Sequence, residues 1–227
     1  MKLGIVIPWR RQDSRAAAFT KTIERLSEQF PDATIYCSDK PVERFNLSGA
    51  RNKGCLEAIE DGCDTLLVVD ADMLLEKDAI ERAIEKSKLM VSVCLPYTLI
   101  NRLNEELSTS VINNEVSFDE TRTDSRGVIQ QNQVGGAYVM QSSTFLRLNG
   151  WDERFVGWGF EDDAFGAAHS AILGKTLDKV QGYAVTFYHL DRDQANLEDN
   201  RQRYYSYLNK TRKQMVEITE GNMNNGK

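Results

Sequence analysis

Apolar and polar residues alternate along the first 70 positions in blocks that predict strands and helices in turn. Residues 3–7 (LGIVI) form a continuous apolar run ended by Pro8, which is typical of a strand buried on both faces. Apolar residues then recur at helical spacing between Ser14 and Phe30, before Pro31. Runs at 33–37 (ATIYC) and 65–69 (TLLVV) predict two further strands, with a helix over 48–62 between them.

This β-α-β-α-β order predicts an α/β fold with a mostly parallel central sheet and right-handed crossovers. Ligands of such sheets bind at the carboxyl ends of the strands. Five polar or aromatic residues follow predicted strand ends, so we expect them to converge on one rim. They are Trp9, Arg10, Asp39, Asp70 and Asp72.

The rest of the chain is less regular. Residues 98–133 are polar and predict a loop or small hairpin. The other expected elements are a helix over 76–87, a strand over 89–95, a strand over 135–140, a short helix ending at Gly150, a helix over 161–173, strands around 176–188 and a polar helix over about 194–218. We expect one domain over 1–220 and a flexible tail over 221–227.

Composition narrows the class of protein. A chain of 227 residues with 41% hydrophobic content suits a single core. A net charge of -6 argues mildly against a surface for polyanions. The apolar runs are too short for a membrane span or a signal peptide, so we expect a cytoplasmic protein without stable membrane insertion. The cysteines are expected to be buried, reduced thiols: Cys37, Cys55, Cys63 and Cys94.

Two carboxylates, Asp70 and Asp72 of VVDADM, directly follow a predicted buried strand. Residues two apart on extended chain point to the same side, and hard carboxylate oxygens suit Mn²⁺ or Mg²⁺, which also bind diphosphates. The alternative is that Asp70 caps the strand end and Asp72 caps a helix beginning near Leu74. The motif alone leaves both interpretations open.

A second acidic group lies in GWGFEDDAF at 157–165. Glu161, Asp162 and Asp163 fall in the expected first turn of a helix, where capping alone could explain them. The adjacent glycines and Trp158 would instead allow close approach of a sugar, and a carboxylate there could take a proton from an acceptor hydroxyl. His189 follows an apolar strand and could complete a metal site, whereas His169 within a helix is expected to be structural.

Five blocks in this order together resemble a known family: IPWR, FNLSGARNKG, VVDADM, GGAYVMQSSTFLRLNGWDERFVGWGFEDD and YHLDRD. They are similar to glycosyltransferases of the A type (GT-A), which have a Rossmann-like nucleotide-diphospho-sugar transferase fold. The likeness is greatest to the animal galactosyltransferases that make lactosamine and to the carboxyl-terminal galactosyltransferase module.

The resemblance implies a role for each matching residue. Those implied to bind the nucleotide-sugar donor, expected to be a UDP-sugar, are Pro8, Arg10, Asp39, Arg51, Asn52, Asp70, Gly135, Gly136, Trp158 and Gly159. The implied ligands of Mn²⁺ or Mg²⁺ are Asp70, Asp72 and His189. Asp162 is implied to be the catalytic base, with Glu161 beside it.

The expected activity is inverting transfer of a hexose to an acceptor hydroxyl on a glycan, protein, lipid or modified nucleic acid. Phe160 and Val156 depart from the family pattern, so the acceptor side of the pocket is expected to differ. A retaining transferase, a non-catalytic carbohydrate-binding protein and a nucleotidyltransferase remain as alternatives. The last usually needs a glycine-rich phosphate loop, which WRRQDSR lacks.

Overall fold

The structure is a computed structural model in which residues 1–189 and 196–223 are described. The strands in chain order are β1 (Leu3–Pro8), β2 (Thr34–Ser38), β3 (Thr65–Val69), β4 (Met73–Leu75), β5 (Cys94–Leu95), β6 (Leu99–Leu103), β7 (Gly127–Gln131), β8 (Ala137–Gln141), β9 (Asp178–Lys179) and β10 (Tyr183–Thr186). The helices are α1 (Ala16–Gln29), α2 (Leu47–Glu60), α3 (Lys77–Met90), α4 (Glu105–Ile112), α5 (Ser142–Leu148), α6 (Glu161–Leu173), α7 (Leu197–Tyr205) and α8 (Arg212–Thr219).

The central sheet has the strand order β2-β1-β3-β8-β5-β9. Strand β1 pairs in parallel with β2 and β3, placing Ile5 opposite Ile35 and Leu67. Strand β8 runs antiparallel to both of its neighbours, β3 and β5. The sheet is therefore mixed but parallel except for β8, which confirms the predicted fold class.

A second, smaller sheet has the order β4-β10-β6-β7. Its strands β6 and β7 and helix α4 come from residues 98–133, so the prediction of a loop or small hairpin for that segment was wrong. The polar residues of β6 misled the prediction because their partners are distant in sequence. Buried Asn101, for example, donates from Nδ2 to the backbone oxygen of Thr121 at 2.8 Å.

Two other element predictions were wrong in their bounds. Helix α3 continues to Met90, and Val91 then adopts a left-handed conformation with φ 47°, so only Cys94–Leu95 of the predicted strand over 89–95 is extended. The polar helix expected over 194–218 is two helices among the described residues. Thr211 begins the second with a capping box, in which its side chain and that of Gln214 bond each other's backbone.

The chain end and the cysteines also differ in part from expectation. Asn222 is 2% exposed and donates from its side chain to the backbone oxygen of Gly150, so the predicted flexible tail does not include it. Residues 224–227 lie outside the described residues. Cys37 is exposed, whereas Cys55, Cys63 and Cys94 are buried, and all four are free thiols.

None of the helices in the described ranges has the length and apolar character needed to cross a membrane.

Candidate active site

A cleft of about 950 Å³ opens at the carboxyl ends of β1 and β3. The small sheet and the turn before α6 form its other walls. Most of the predicted site residues line it: Pro8, Trp9, Arg10, Asp70, Asp72, Gly135, Gly136, Trp158, Gly159, Glu161, Asp162 and His189. The predicted convergence on one rim is therefore confirmed for all but Asp39, which contacts the rim through Arg10.

The turn after β3 fixes the two aspartates. The backbone nitrogen of Asp70 donates to the oxygen of Gly136 at 2.7 Å, and the backbone oxygen of Asp72 accepts from Phe187 at 3.0 Å. Residues 73–75 form strand β4, so the alternative in which Asp72 caps a helix is wrong. The bond to Phe187 instead ties Asp72 to the end of β10, two residues before His189.

Arg51 joins two acidic segments beneath the cleft. Helix α2 begins at Leu47, where the Asn46 side chain accepts from the Gly49 backbone, and Arg51 lies one turn later with no exposed surface. Its guanidinium donates to Asp70 Oδ1 at 2.9 Å and to Asp162 Oδ1 at 2.6 Å.

Electrostatics keep this arginine charged. Burial would lower the pKa of Arg51, but Asp162 and Asp70 raise it well above its ordinary value. Burial raises the pKa of Asp70, and the positive charge of Arg51 opposes that shift. The group is therefore a fixed cation shared between two carboxylates, and removing the cation would leave both without their partner.

Helix α6 places three further carboxyl groups at the cleft, those of Glu161, Asp162 and Asp163. It begins at Glu161 as predicted, after Phe160 in a left-handed conformation with φ 70°. Burial, and then the neighbouring Asp162, raise the pKa of Glu161 to about 8. Glu161 therefore holds a proton more readily than an ordinary glutamate, whereas Asp162 is paired with Arg51 through Oδ1.

The paired glycines face Asp162 and the β3 turn. Gly135 has φ 108°, and a Cβ atom there would lie 2.4 Å from Asp162 Oδ2. Gly136 has φ 75°, and its Cβ would lie 2.9 Å from Met73 Sδ. Both positions need glycine for conformation and for space. Tyr97 holds the segment by donating from its hydroxyl to the Gly135 oxygen at 2.5 Å.

Asp72 and His189 are suited to a divalent metal. His189 Nε2 lies 3.5 Å from Asp72 Oδ2, a separation that two ligands of one metal ion can span, and oxygen with imidazole nitrogen suits Mn²⁺. Among residues 1–189 and 196–223, however, no three metal-binding side chains are grouped. Asp72 Oδ2 accepts from Arg15 Nη2 at 2.6 Å, and Asp70 faces Arg51.

Arg10 and Asp39 form a two-point ion pair beside β1. Arg10 Nε donates to Asp39 Oδ2 at 2.8 Å, and Nη2 donates to Asp39 Oδ1 at 3.0 Å. Asn52 does not line the cleft. Its side chain donates to the Trp151 oxygen at 2.8 Å and accepts from the Trp151 nitrogen at 2.9 Å. The implied donor contact of Asn52 is therefore replaced by a role in holding the 150–153 turn.

The two histidines occupy different surroundings. His169 has no exposed surface, lies 3.0 Å from Ser92 Oγ and accepts at Nε2 from the Val93 backbone nitrogen at 3.2 Å. Burial lowers its pKa to about 4, so it is neutral in the folded protein. His169 thus acts in the core, as expected, whereas His189 lies in the cleft.

Several cleft residues were missed from the sequence. Besides Tyr97, they include Gln12, Arg15, Arg44, Phe45, Arg102 and Arg201. Arg15 could have been found, because it stands seven residues beyond the strand end at Pro8 in a segment rich in arginine. Arg102 could not, because β6 itself was not predicted.

Comparison with known proteins agrees with this geometry. Residues 125–190 match a family described as the N-terminal domain of galactosyltransferase. This range contains Gly135 and Gly136 and the acidic first turn of α6, and it extends through His189. No curated protein matches the sequence.

Solved structures share the fold at low sequence identity. The catalytic domain of Drosophila beta1,4-galactosyltransferase 7, in complex with xylobiose, superposes with a TM-score of 0.59 and 18% identity over 92% of this chain and 82% of that one. S. aureus TarS residues 1–349, in complex with UDP-GlcNAc, superpose with a TM-score of 0.56 and 11% identity over 97% of this chain and 71% of that one. GalNAc-T7, with UDP, GalNAc and Mn²⁺, superposes with a TM-score of 0.51 and 14% identity over 98% of this chain and 58% of that one. The GT-A fold and the resemblance drawn from the sequence are thereby confirmed.

Proposed function

We infer that this chain, a glycosyltransferase by its GT-A fold and its galactosyltransferase family match, transfers a hexose from a UDP-sugar to an acceptor hydroxyl. The observation that carries the proposal is the meeting of acidic groups in one cleft. Asp70, Asp72, Asp162 and His189 reach it from three separate segments of the chain. Structures with this fold contain UDP-sugars, and those of GalNAc-T7 and of a Drosophila beta1,4-galactosyltransferase 7 variant also contain manganese.

The donor side is formed by the end of β1 and the turn after β3. Pro8, Arg10 and, through its ion pair with Arg10, Asp39 are proposed to hold the nucleoside. Asp72 and His189, with Asp70 behind them, would hold a divalent metal ion. When bound, such an ion offsets the negative charge that develops on the departing diphosphate.

The acceptor side is formed by the turn before α6. Trp158 is 43% exposed and presents an indole to the cleft, where a sugar ring can pack against its face. Gly157, Gly159 and the pair Gly135 and Gly136 allow close approach because they have no side chain, and each has a positive φ that favours glycine. Positioning of both substrates in this narrow space is expected to supply much of the rate.

Asp162 is proposed to be the base of a direct displacement. Its Oδ1 is bound to Arg51, whereas Oδ2 faces Gly135 at the cleft. The acceptor hydroxyl would give its proton to Asp162, its oxygen would form the new bond to the anomeric carbon, and the bond from that carbon to the diphosphate oxygen would break. Attack opposite the leaving group inverts the anomeric carbon. Glu161 is a weaker candidate because burial and the neighbouring Asp162 raise its pKa, which favours its protonated form.

The first test of the proposal is release of nucleoside diphosphate from a panel of nucleotide sugars, with and without manganese, by the wild type and Asp72→Ala. Metal-dependent release from one donor, lost in Asp72→Ala, would support the transferase and name the sugar. Pyrophosphate release from a nucleoside triphosphate would favour a nucleotidyltransferase. Neither hydrolysis nor binding of any donor would favour a carbohydrate-binding protein.

The role of Asp162 is tested with Asp162→Asn, which keeps the shape of the side chain but removes the base. We expect turnover to fall by about 10²–10⁴-fold while UDP binding is kept. Asp199→Asn is the matched control, since Asp199 is exposed in the first turn of α7 and is absent from the cleft wall. Full activity of Asp162→Asn would remove it as the base. A product with retained anomeric configuration, determined by NMR, would reject the inverting scheme.

A further inference from the structure

Arg15 contacts the oxygen of Asp72 that lies close to His189. Its Nη2 atom donates to Asp72 Oδ2 at 2.6 Å, and His189 Nε2 lies 3.5 Å from the same oxygen. The Asp72 side chain is 9% exposed and that of Arg15 is 23% exposed, so the pair is partly shielded from water. A metal ion on this oxygen would lie next to the positive charge of the Arg15 guanidinium, and because like charges repel each other, the arginine opposes metal binding while it stays there.

The segment that carries Arg15 has spare hydrogen-bonding capacity at the cleft. Within the described ranges, Arg15 Nε and Gln12 Oε1 are both buried without a hydrogen-bond partner. Both residues line the cleft. Buried polar atoms without partners are costly, and they are commonly satisfied when a ligand binds. The segment therefore has a donor and an acceptor that no residue of 1–189 or 196–223 satisfies.

A guanidinium at this place is suited to a diphosphate. Arginine offers five N–H donors in a planar fork that matches phosphate oxygens, and its bond to Asp72 uses Nη2. The diphosphate of a donor bound near Asp72 carries more negative charge than one carboxylate. Arg15 would therefore exchange Asp72 for the diphosphate when the donor enters, which leaves Asp72 Oδ2 open to the metal.

We propose that Arg15 is a diphosphate-binding residue that occupies Asp72 until a nucleotide donor arrives, and thereby makes metal binding depend on the donor. This proposal rests on the proposed function, because it takes a nucleoside diphosphate and a divalent metal as ligands of the cleft. It predicts that UDP and Mn²⁺ each tighten the binding of the other, as linkage requires.

The test measures binding rather than turnover. Mn²⁺ affinity is determined by electron paramagnetic resonance with and without UDP, and UDP affinity is determined by calorimetry in EDTA. The proteins are the wild type, Arg15→Gln and the control Arg11→Gln. The Arg11→Gln substitution removes the same charge, but the Arg11 side chain is 83% exposed and does not line the cleft.

In Arg15→Gln we expect Mn²⁺ without UDP to bind about tenfold more tightly, since one charge-assisted hydrogen bond no longer competes for Asp72. UDP in EDTA should bind several-fold more weakly, and the mutual enhancement should shrink. Arg11→Gln should behave as the wild type. These results together would support the proposal.

Two outcomes would overturn it in distinguishable ways. If the wild type binds Mn²⁺ and UDP with mutual enhancement and Arg15→Gln does the same with unchanged affinities, Arg15 has no such role and the proposed function stands. If the wild type binds no Mn²⁺ even with UDP present, the metal site of the proposed function fails, and the proposal about Arg15 fails with it.

Discussion

Replacement of Gly135 by alanine should damage the reaction far more than it damages the fold. Gly135 has φ 108°, and the added Cβ would lie 2.4 Å from Asp162 Oδ2, against an ordinary contact of at least 3.4 Å. The carboxylate must therefore move by about 1 Å, since Gly135 itself is held through the bond from Tyr97. A misplacement of about 1 Å at a reacting group can cost about 10²-fold in rate.

The backbone cost of this substitution can be separated from its effect on Asp162. Gly174 also has a positive φ, of 73°, but a Cβ there would meet nothing within 4 Å. Gly174→Ala therefore carries the conformational strain, about 1–3 kcal/mol, without a contact to the site. We expect both variants to lose stability by about this amount in urea denaturation, and only Gly135→Ala to lose kcat/KM by about 10²-fold in a UDP-release assay.

The reasoning would be refuted by a Gly135→Ala variant whose kcat/KM is within about threefold of that of Gly174→Ala at equal folded fraction, since a displaced base should cost about 10²-fold. That result would mean that Asp162 Oδ2 can move without consequence, or that another group accepts the proton. A loss confined to KM would instead place Gly135 in substrate binding alone.

Three further predictions concern ionisable groups. Arg51→Met should destabilise the fold by about 3–5 kcal/mol, because Asp70 and Asp162 lose their cation, and adding Asp162→Asn should restore part of this in urea denaturation. Glu161 has a raised pKa of about 8, so it lowers the free energy of unfolding increasingly as pH rises from 4.5 to 8. The free energy of unfolding of Glu161→Gln should therefore exceed that of the wild type by more at pH 8 than at pH 4.5. An equal difference at both pH values would contradict this. His169 has a lowered pKa of about 4, so its contribution to the free energy of unfolding is complete above pH 6.5 and is lost as pH falls towards 4, by up to about 1.4 kcal/mol per pH unit. In His169→Gln, the free energy of unfolding measured in urea should depend less on pH over this range.

Sequence patterns predicted the parts of the fold whose signals are local. The strands β1, β2 and β3 and the start of α6 at Glu161 agree with prediction because each is set by neighbouring residues. The small sheet was missed because Asn101 and Arg102 interrupt the apolar pattern of β6. Asn101 is buried there only because Thr121, far along the chain, accepts its hydrogen bond.

The site shows the same division between local and distant information. The acidic pair after β3 and the turn before α6 were found from residue type and position alone. Arg51 was placed at the donor by resemblance, yet it is buried because Asp70 and Asp162, which lie 19 and 111 residues away, surround it. A contact at that separation has no signature in one sequence, so the role of Arg51 required the structure.

The small sheet contributes one wall of the cleft. Asp70 is held at the end of β3 by its bond to Gly136, whereas Ile100, Arg102 and Leu103 of β6 form a wall from the other sheet. Strand β7 covers β6 on one edge and exposes Val128 and Ile129. On the proposed function, substitutions in this wall would change which substrate fits and would leave the bonds that hold Asp70 and Asp162 in place. The β6 wall is thus a place where specificity would be altered apart from the proposed reacting groups.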